Sequence, residues 1–390
     1  MVNAVISGVG QLNRPKLPDI PGPEQFAGPA FHTAQWDHTV DLRGKRVAII
    51  GTGASGIQVI PTIAPEIGEL LVFQRTPNWF MPAPEYHAPL PDGLRWLFEH
   101  IPHYCQWYRV VIFWYTAEGG YQAAKVDPEW LAQGRVSSPL NEALRELLTN
   151  YLTDQFAGFP ELLDAVTPTY PPLAKRPLVD NGSWAGALTR DNVSLITDKI
   201  TEITPAGVTT SDGVEHTVDV IVYATGFDAS HFLTPMRVEG RGGVDLHEQW
   251  NGDPRAYLGI TLPGFPNFFC LYGPNTNIVA NGSIIFFSEA GVHYILGCLR
   301  MVLARGARAL DCRADVHDAY NQRIDQGNGL MVWGAAQVNS WYKNERGRVT
   351  QCWPFSLLEY WQLTREPVPD HYEVLSTRQE DERSNEVLGT

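Results

Sequence analysis

Three glycines, spaced as Gly51-x-Gly53-x-x-Gly56, could together form the turn that holds the phosphates of a dinucleotide. The first would allow a tight turn, the second would let the backbone approach a pyrophosphate, and the third would let a helix pack close to the preceding strand. The N-terminus of that helix would offer free N–H groups and the positive end of its dipole to the phosphates. We therefore predict a dinucleotide site rather than a simple glycine turn. Its cofactor-binding candidates are Gly51, Thr52, Gly53, Ser55, Gly56 and Gln58.

Two apolar segments frame these glycines and predict the parallel strands that must position them. Residues 47–50 directly precede the turn, and residues 70–73 form a second apolar run at the distance expected for the next strand. The second run ends in Gln74, Arg75 and Thr76, whereas an NAD site usually carries an aspartate or glutamate there. A guanidinium and a hydroxyl suit a 2′-phosphate, so NADPH is the predicted ligand. A solvated surface arginine is the alternative interpretation of Arg75.

The composition limits the function classes that remain. A chain of 390 residues can bury more than one core, which predicts two domains. The net charge of −14 argues against a nucleic-acid-binding protein, because phosphate backbones attract positive charge. The five cysteines are scattered, without CxxC or zinc spacing, which indicates a reducing cytoplasm and no metal site.

Neither a secretory signal nor a membrane span is predicted. The apolar tract 105–117 contains Arg109 and is too short to cross a bilayer. The longer tract 283–304 carries Glu289, His293 and Arg300, which favours an amphipathic helix packed on a core.

The remaining pattern predicts an α/β chain with a helical insertion. Residues 1–10 look like the end of a strand that enters a glycine turn, and a proline-rich connector follows. Leucines at every fourth position predict that one face of a helix over 139–152 is buried. The other segments predicted as regular structure are helices over 94–117, 283–304 and 314–326, strands over 192–197, 218–223 and 268–272, and a hairpin over 207–213.

A segment before the glycine turn resembles the fingerprint of the Baeyer–Villiger monooxygenases. Its pattern, Phe-x-Gly-x-x-x-His-x-x-x-Trp-Asp, is formed by Phe26, Gly28, His32, Trp36 and Asp37. The resemblance implies two Rossmann-like domains, FAD and NADPH as cofactors, and insertion of oxygen from O2 next to the carbonyl of a ketone. In that family the segment is an interdomain linker whose histidine couples domain movement to turnover. On the residues alone, it is equally a packed loop corner.

The pair Lys175-Arg176 follows the helical insertion inside a stiff, proline-rich turn. By composition alone such a pair is usually a solvated surface. By resemblance, Lys175 would help to bind the 2′-phosphate of NADPH, and Arg176 would be the catalytic arginine. The resemblance also implies cofactor-binding roles for Thr225 and Gly226, in the Ala-Thr-Gly return to the FAD domain, and for Asn275, in a Gly-Pro-Asn turn.

The resemblance divides the chain into three parts. Residues 1–45 would be the end of an FAD domain and a linker, residues 46–224 an NADPH-binding domain with a helical insertion at about 77–170, and residues 225–390 the C-terminal part of the FAD domain. The segment 340–361 particularly resembles the 4-hydroxyacetophenone monooxygenase branch, and the charged end after about residue 372 is expected to be loose.

The glycine motif that binds FAD in this family is missing before the linker. The fold class is therefore expected to be α/β with two Rossmann-like, three-layer domains, the first of them incomplete. We expect a fragment or a late-started form of a longer enzyme. A short protein that has lost flavin binding is the alternative.

Two other functions stay open on the sequence. A short-chain dehydrogenase would use Tyr121-x-x-x-Lys125 as its catalytic pair, although this pair lies too close after the glycine motif. An inactive NADPH-binding remnant or subunit would keep the glycine turn and lack a complete flavin site. Flavin-free ketone reduction would support the first function, and a colourless protein that binds NADPH would support the second.

Overall fold

The computed structural model describes residues 2–114, 117, 119–280 and 282–376 of the chain. By internal packing the chain divides into two compact units. Unit 1 comprises Met1–Asn13, Leu97–Leu140 and Ala229–Thr390, and unit 2 comprises Arg14–Trp96 and Asn141–Asp228.

Strands and helices alternate along much of the chain, as in α/β proteins. The strands are β1 (Val5–Ser7), β2 (Ala30–His32), β3 (Arg46–Ile50), β4 (Glu69–Phe73), β5 (Phe80–Pro82), β6 (Leu178–Asp180), β7 (Val193–Ile196), β8 (Ile200–Ile203), β9 (Gly207–Thr210), β10 (Glu215–Thr217), β11 (Val220–Tyr223), β12 (Phe268–Cys270), β13 (Ala309–Cys312) and β14 (Tyr372–Leu375). The α-helices are α1 (Gly56–Ile63), α2 (Asp92–His100), α3 (Tyr104–Trp114), α4 (Gly120–Ala123), α5 (Pro128–Ala132), α6 (Pro139–Gln155), α7 (Pro160–Val166), α8 (Ser183–Leu188), α9 (Leu246–Trp250), α10 (Ile284–Ala304), α11 (Ala314–Gly329), α12 (Val332–Ala335) and α13 (Leu357–Leu363).

Unit 2 is built on a five-stranded parallel sheet with the order β2-β11-β3-β4-β7. Its central strands are almost entirely buried aliphatic residues, as expected for parallel strands that are covered on both faces. The antiparallel sheet β10-β9-β8 packs on one face through an apolar cluster that includes Ile50, Phe73, Val208 and Ile221. Helix α1 contacts β3, and α8 contacts both α1 and β7. The predicted α/β class with parallel strands is confirmed.

The boundaries of unit 2 differ from those predicted for the NADPH-binding domain. The unit begins at Arg14 rather than at residue 46, because β2 is hydrogen-bonded to β11 as an edge strand of the same sheet. The predicted insertion also divides, since residues 97–140 pack within unit 1 and residues 141–170 within unit 2.

Unit 1 holds a short parallel pair, β1 with β12, and an antiparallel pair, β13 with β14. The predicted strand end at the start of the chain is confirmed by β1, which pairs Val5 with Phe268. The core of the unit surrounds α10, whose buried face presents Phe287, Tyr294 and Cys298. By length and composition, α10 is the helix among the described residues that could cross a membrane. Its buried face agrees with the predicted packing on a core.

Two local predictions were wrong in detail, and a third concerns mostly residues outside the described part. The segment 94–117, predicted as one helix, forms two helices, α2 and α3, because a turn at 101–103 interrupts it. Residues 115 and 116 lie outside the described part. The buried stripe of α6 excludes Leu140 and includes Asn141, whose Nδ2 donates to the Pro172 carbonyl at 2.9 Å. Residues 372–375 form β14, so regular structure extends slightly past residue 372; the rest of the predicted loose end, residues 377–390, lies outside the described part.

Candidate functional site

The glycine turn after β3 has the backbone geometry that a phosphate-binding turn requires. Gly51 lies at φ 106°, and a Cβ there would lie 2.5 Å from the Ala224 carbonyl oxygen. A Cβ at Gly56 would lie 2.5 Å from the Gly51 carbonyl oxygen, so α1 starts against the strand end. A Cβ at Gly53 would have no atom within 4 Å. The turn is therefore closely packed at its first and third glycines and open at its second, where a pyrophosphate would approach.

Side-chain hydrogen bonds fix this turn from within unit 2. The Asn78 Nδ2 donates to the carbonyl of the buried Thr52 at 2.7 Å, which ties the turn to the segment after β4. The Gln58 Nε2 donates to the Ala54 carbonyl at 2.6 Å, and Ser55 forms no side-chain cap at the start of α1. Ligand contacts for Ser55 and Gln58 stay predictions. Asn78 was missed in the sequence, because a single asparagine after a strand has no distinctive pattern.

The end of β4 forms a small pocket of about 290 Å³ beside the sheet. Gln74 is buried there and donates through Nε2 to the Ala165 carbonyl at 2.9 Å. Arg75 is exposed, and Thr76 is half-buried in the same wall. The exposed Asp164 also lines the pocket, yet it forms no ion pair with Arg75. The pocket therefore presents a cation and a hydroxyl at the position where a ribose would lie.

Lys175 is brought into the neighbourhood of Arg75 although a hundred residues separate them in sequence. The Trp79 Nε1 donates to the Tyr170 carbonyl at 2.9 Å, and the Tyr170 hydroxyl donates to the Pro77 carbonyl at 2.9 Å. The Lys175 ammonium lies 5.3 Å from the centre of the Tyr170 ring. Burial and the Arg75 guanidinium lower the pKa of Lys175 from 10.5 to about 8. Two neighbouring cations that form no ion pair with a carboxylate in the described part of the chain favour an anionic ligand.

Arg176 follows Lys175 and is exposed. Its guanidinium forms no hydrogen bond or ion pair with any residue that the structure describes. It is thus free to face a ligand, and its catalytic role stays a prediction. Thr225 and Gly226 contact the incoming connector: the Thr225 hydroxyl donates to the Lys16 carbonyl at 2.5 Å, and the Lys16 N–H donates to the Gly226 carbonyl at 2.9 Å. Their cofactor-binding roles stay predictions.

The fingerprint residues before β3 serve packing. A Cβ at Gly28 would lie 2.5 Å from the Asp219 carbonyl oxygen and would also contact the Phe26 ring. The Trp36 ring packs edge-on against Phe31 at 5.0 Å between ring centres. Asp37 accepts hydrogen bonds from the N–H and the hydroxyl of Thr39, and both lower the pKa of its carboxyl. These contacts support the interpretation as a packed corner, and a role in domain movement stays a prediction.

His32 is the buried member of this segment, with 3% of its surface exposed. Its Nδ1 accepts a hydrogen bond from the Ala34 N–H at 3.1 Å, which requires that this nitrogen carries no proton. Its ring packs edge-on against Phe227 at 5.7 Å between ring centres. Burial lowers the pKa of His32, only partly opposed by the Gly226 carbonyl. The neutral imidazole is therefore the form that the fold selects.

In unit 1, buried amides surround the turn that follows β12. The Gln11 Nε2 donates to the Tyr272 carbonyl at 3.0 Å, and the Tyr272 hydroxyl donates to Asn277 Oδ1 at 2.8 Å. The Gln11 Oε1, the Asn277 Nδ2 and the Gln351 Oε1 are buried and have no hydrogen-bond partner among the described residues. Buried polar atoms normally have partners, so each of these three atoms could form one further hydrogen bond with a ligand.

The position of these amides suits the predicted flavin. They lie near the carboxyl ends of β1 and β12, the edge of a parallel sheet where nucleotide ligands bind. Gly8 and Gly10, which follow β1, have no atom within 4 Å of a Cβ position, so the backbone is accessible there. Asn275 itself is buried, and its side-chain amide is fully used by protein groups. The sequence missed Gln11, Asn277 and Gln351, because isolated amides carry no pattern.

The pair expected for a short-chain dehydrogenase lacks the required geometry. The Tyr121 hydroxyl is directed to the Pro354 carbonyl at 3.2 Å, and Tyr121 is only 8% exposed. The Lys125 ammonium lies over the Tyr121 ring, 4.5 Å from its centre, rather than at the hydroxyl. Both residues belong to unit 1, whereas the glycine turn belongs to unit 2.

Comparison with known sequences identifies related proteins. A family model described as flavin-binding monooxygenase-like matches residues 1–87. The chain is 35% identical over 381 residues to a Baeyer–Villiger monooxygenase from Pseudomonas aeruginosa, covering 96% of this chain and 68% of that protein. It is 35% identical over 374 residues to one from Streptomyces coelicolor, covering 96% and 69%. It is 38% identical over 376 residues to the uncharacterized monooxygenase y4iD of Sinorhizobium fredii. That match covers 96% of this chain, and the chain spans only 57% of that relative's length.

Comparison with solved structures also finds monooxygenases. The structure of oxidized steroid monooxygenase bound to NADP is 27% identical, with a TM-score of 0.77 over 96% of this chain and 75% of that chain. The structure of cyclohexanone monooxygenase from Rhodococcus sp. Phi1 bound to NADP+ is 27% identical, with a TM-score of 0.78 over 96% and 75%.

Alanine at the second glycine of the turn should affect NADPH binding, whereas alanine at the third should affect stability. Gly56→Ala forces a methyl group against the Gly51 carbonyl, so the free energy of unfolding should fall by about 1–3 kcal/mol. Gly53→Ala meets no protein atom, so stability should change by less than about 0.5 kcal/mol. Its methyl group would fill the space for a pyrophosphate and should weaken NADPH binding by on the order of tenfold. Urea unfolding measures the stability of each variant, and NADPH titration measures its affinity. Unchanged NADPH affinity in Gly53→Ala would contradict a pyrophosphate site at this turn.

His32 should make unit 2 less stable in acid. Its folded-state pKa is lowered, so below pH 6.5 the unfolded chain binds the proton more readily and stability is lost as the pH falls. The free energy of unfolding should therefore be lower at about pH 5.5 than at about pH 7.5. In His32→Asn, the amide oxygen can still accept from Ala34 but does not titrate. Urea unfolding at both pH values should therefore show a smaller acid loss in this variant, and an equal loss would exclude His32 as its source.

Proposed function

Because the chain belongs to the Baeyer–Villiger monooxygenase family, we propose that it serves NADPH- and FAD-dependent oxidation of a ketone to an ester or lactone with O2. The observation that carries this proposal is the combination in unit 2 of a glycine turn open at Gly53 with the neighbouring cations Arg75 and Lys175. The assignment to the 4-hydroxyacetophenone branch and a cytoplasmic location remain parts of the proposal.

The residues of unit 2 would bind NADPH in two places. The N-terminus of α1, next to Gly53, would hold the pyrophosphate through free N–H groups and the helix dipole. Arg75, Thr76 and Lys175 would hold the 2′-phosphate, since Arg offers paired donors and Lys a point charge. The buried Gln74 replaces the carboxylate of an NAD site and removes its repulsion of the phosphate.

When bound, NADPH supplies a hydride, and FAD supplies electron transfer and the activation of O2. The buried amides Gln11, Asn277 and Gln351 would meet the polar edge of the flavin in unit 1. Arg176 would present its guanidinium to the negative charge that develops on oxygen during the reaction. A group that stays charged at any working pH suits this task better than a lysine, because it stabilises the charge without losing its own proton.

Absorption spectroscopy of the purified chain tests the proposal directly. A visible flavin spectrum after incubation with FAD, together with NADPH-dependent formation of an ester from a ketone panel, is the expected result. A colourless protein that binds NADPH would favour the alternative of an inactive NADPH-binding subunit. Flavin-free reduction of the ketones would favour a dehydrogenase.

Arg176→Ala should separate NADPH oxidation from oxygen insertion. NADPH binding and hydride transfer should persist, because Arg75 and Lys175 are intact. Ester formation should fall by on the order of 100-fold, because the developing charge loses its partner. Gas chromatography of the ester and the loss of NADPH absorbance give the two rates separately.

Arg43→Ala is the matched control for this variant. Arg43 is an exposed arginine of unit 2 that pairs with Asp41, two residues away. Both rates should stay as in the unaltered protein. Normal ester formation by Arg176→Ala would remove Arg176 from the proposed chemistry.

NADPH affinity should fall as the pH rises from about 7 to 9. The pKa of Lys175 is about 8 in the free site, and a bound 2′-phosphate would raise it. The complex then keeps a proton that the free site loses, so the dissociation constant for NADPH should rise by roughly tenfold over this interval. NADH lacks the phosphate, and its dissociation constant should stay nearly constant. Fluorescence titration of both nucleotides measures the difference.

Lys175→Arg is the control, since a guanidinium stays charged throughout this interval. This variant should bind NADPH with little dependence on pH. Of the neighbouring groups, Tyr170 stays protonated because burial raises its pKa, and Arg75 and Asp164 remain in place. A pH dependence that persists in Lys175→Arg would show that another group titrates.

A further inference from the structure

The turn over 273–277 is held by a neighbouring extended segment, 349–353. The Asn275 N–H donates to the Thr350 carbonyl at 2.9 Å, and the Asn277 N–H donates to the Gln351 carbonyl at 2.8 Å. Asn275 lies at φ 58°, in the left-handed region, which asparagine adopts more readily than most residues other than glycine. The shape of this turn therefore depends on contacts that hold Asn275 in place.

The side chain of Asn275 supplies those contacts. It is 1% exposed, and its Nδ2 donates to the Val349 carbonyl at 2.8 Å and to the Cys352 carbonyl at 3.2 Å. Its Oδ1 accepts from the Arg348 Nη2 at 3.2 Å. The amide is thus fully used inside unit 1, and what the turn can offer a ligand is its backbone and the flanking Asn277 amide.

Arg348 is itself fixed by two carboxylates. Its Nε donates to Asp325 Oδ1 at 2.7 Å, and its Nη1 donates to Asp253 Oδ1 at 3.2 Å and to the Pro254 carbonyl at 3.1 Å. Arg255 pairs with the other oxygens of the same two aspartates, at 2.9 and 3.0 Å. The Arg348 side chain is 12% exposed, so its guanidinium is held in one orientation with little competition from water.

We infer that Arg348 is a positioning residue for the flavin, acting through Asn275 on the turn over 273–277. The inference rests on the proposed function, since it assumes that FAD binds in unit 1. The turn follows β12 at the carboxyl edge of a parallel pair, and the orphaned Asn277 Nδ2 lies at its end. A guanidinium that holds Asn275 in its left-handed conformation therefore also fixes the backbone and the amide that would meet the cofactor.

Arg348→Met tests this role by removing the guanidinium and leaving the Asn275 Oδ1 buried without a donor. Arg348→Lys keeps the charge near the aspartates, but a single ammonium cannot also replace the Nη2 contact to Asn275. Arg346→Met is the matched control, because Arg346 lies in the same loop, is exposed, and among the described residues its guanidinium donates to the Asn251 carbonyl alone. The measurements are hydrogen exchange at the 275 and 277 amides, the FAD dissociation constant and the flavin absorption band.

Both Arg348 variants should exchange the 275 and 277 amides about tenfold faster, and should bind FAD about tenfold more weakly with a shifted flavin band. Exchange in β13 and β14 should stay as in the unaltered protein, as should all readouts of Arg346→Met. Equally accelerated exchange throughout unit 1 would indicate a merely structural residue and overturn the inference. Unchanged exchange at the turn, or unchanged FAD affinity, in Arg348→Lys would also overturn the inference. If Arg348→Met fails to fold, the result for Arg348→Lys is sufficient for the test.

An unaltered chain that takes up no FAD would count against the proposed function itself. In that case the exchange measurement still shows whether Arg348 holds the turn, so the two failures are distinguishable.

Discussion

The close approach of α1 to the ends of β3 and β11 is the constraint on which the candidate dinucleotide site depends. A methyl group at Gly56 would lie 2.5 Å from the Gly51 oxygen, and one at Gly51 would lie 2.5 Å from the Ala224 oxygen. These contacts leave no room for side chains, so the helix must start directly over the strand ends. The N-terminus of α1 therefore lies close to Gly53, where a Cβ would meet no protein atom within 4 Å.

The same edge of the sheet explains how residues distant in sequence come together in the candidate site. The carboxyl end of β4 delivers Gln74 to Thr76, and hydrogen bonds from Gln74, Trp79 and Tyr170 bind this segment to the chain that precedes Lys175. Each bond joins a side chain to a backbone carbonyl, so the irregular segment is held in position without regular secondary structure. Because these hydrogen bonds hold the irregular segment in place, Arg75 and Lys175 become neighbours although they are a hundred residues apart in sequence.

Local patterns predicted the glycine turn and its strands, because periodicity and glycine spacing depend only on neighbours in sequence. They could not place β2 in the sheet or assign 97–140 to unit 1, since both depend on partners distant in the chain. The leucine stripe of α6 failed at Leu140 for a related reason: Asn141 is buried because a carbonyl from residue 172 meets its amide. In the candidate site, Arg75 followed from strand position, whereas Arg348 resembles an ordinary surface charge until Asp253 and Asp325 are seen around it.

The electrostatics of Lys175 argue for the phosphorylated nucleotide in a way that the sequence does not. Lowering its pKa from 10.5 to about 8 corresponds to at most about 3 kcal/mol against the charged form, because part of the side chain remains solvated. The cost has two sources, burial and repulsion by Arg75. A 2′-phosphate would turn the repulsion into a shared attraction, whereas NADH would leave it in place. The free site therefore carries an unfavourable interaction that only the phosphorylated cofactor relieves, and this difference favours NADPH even if every other contact is the same.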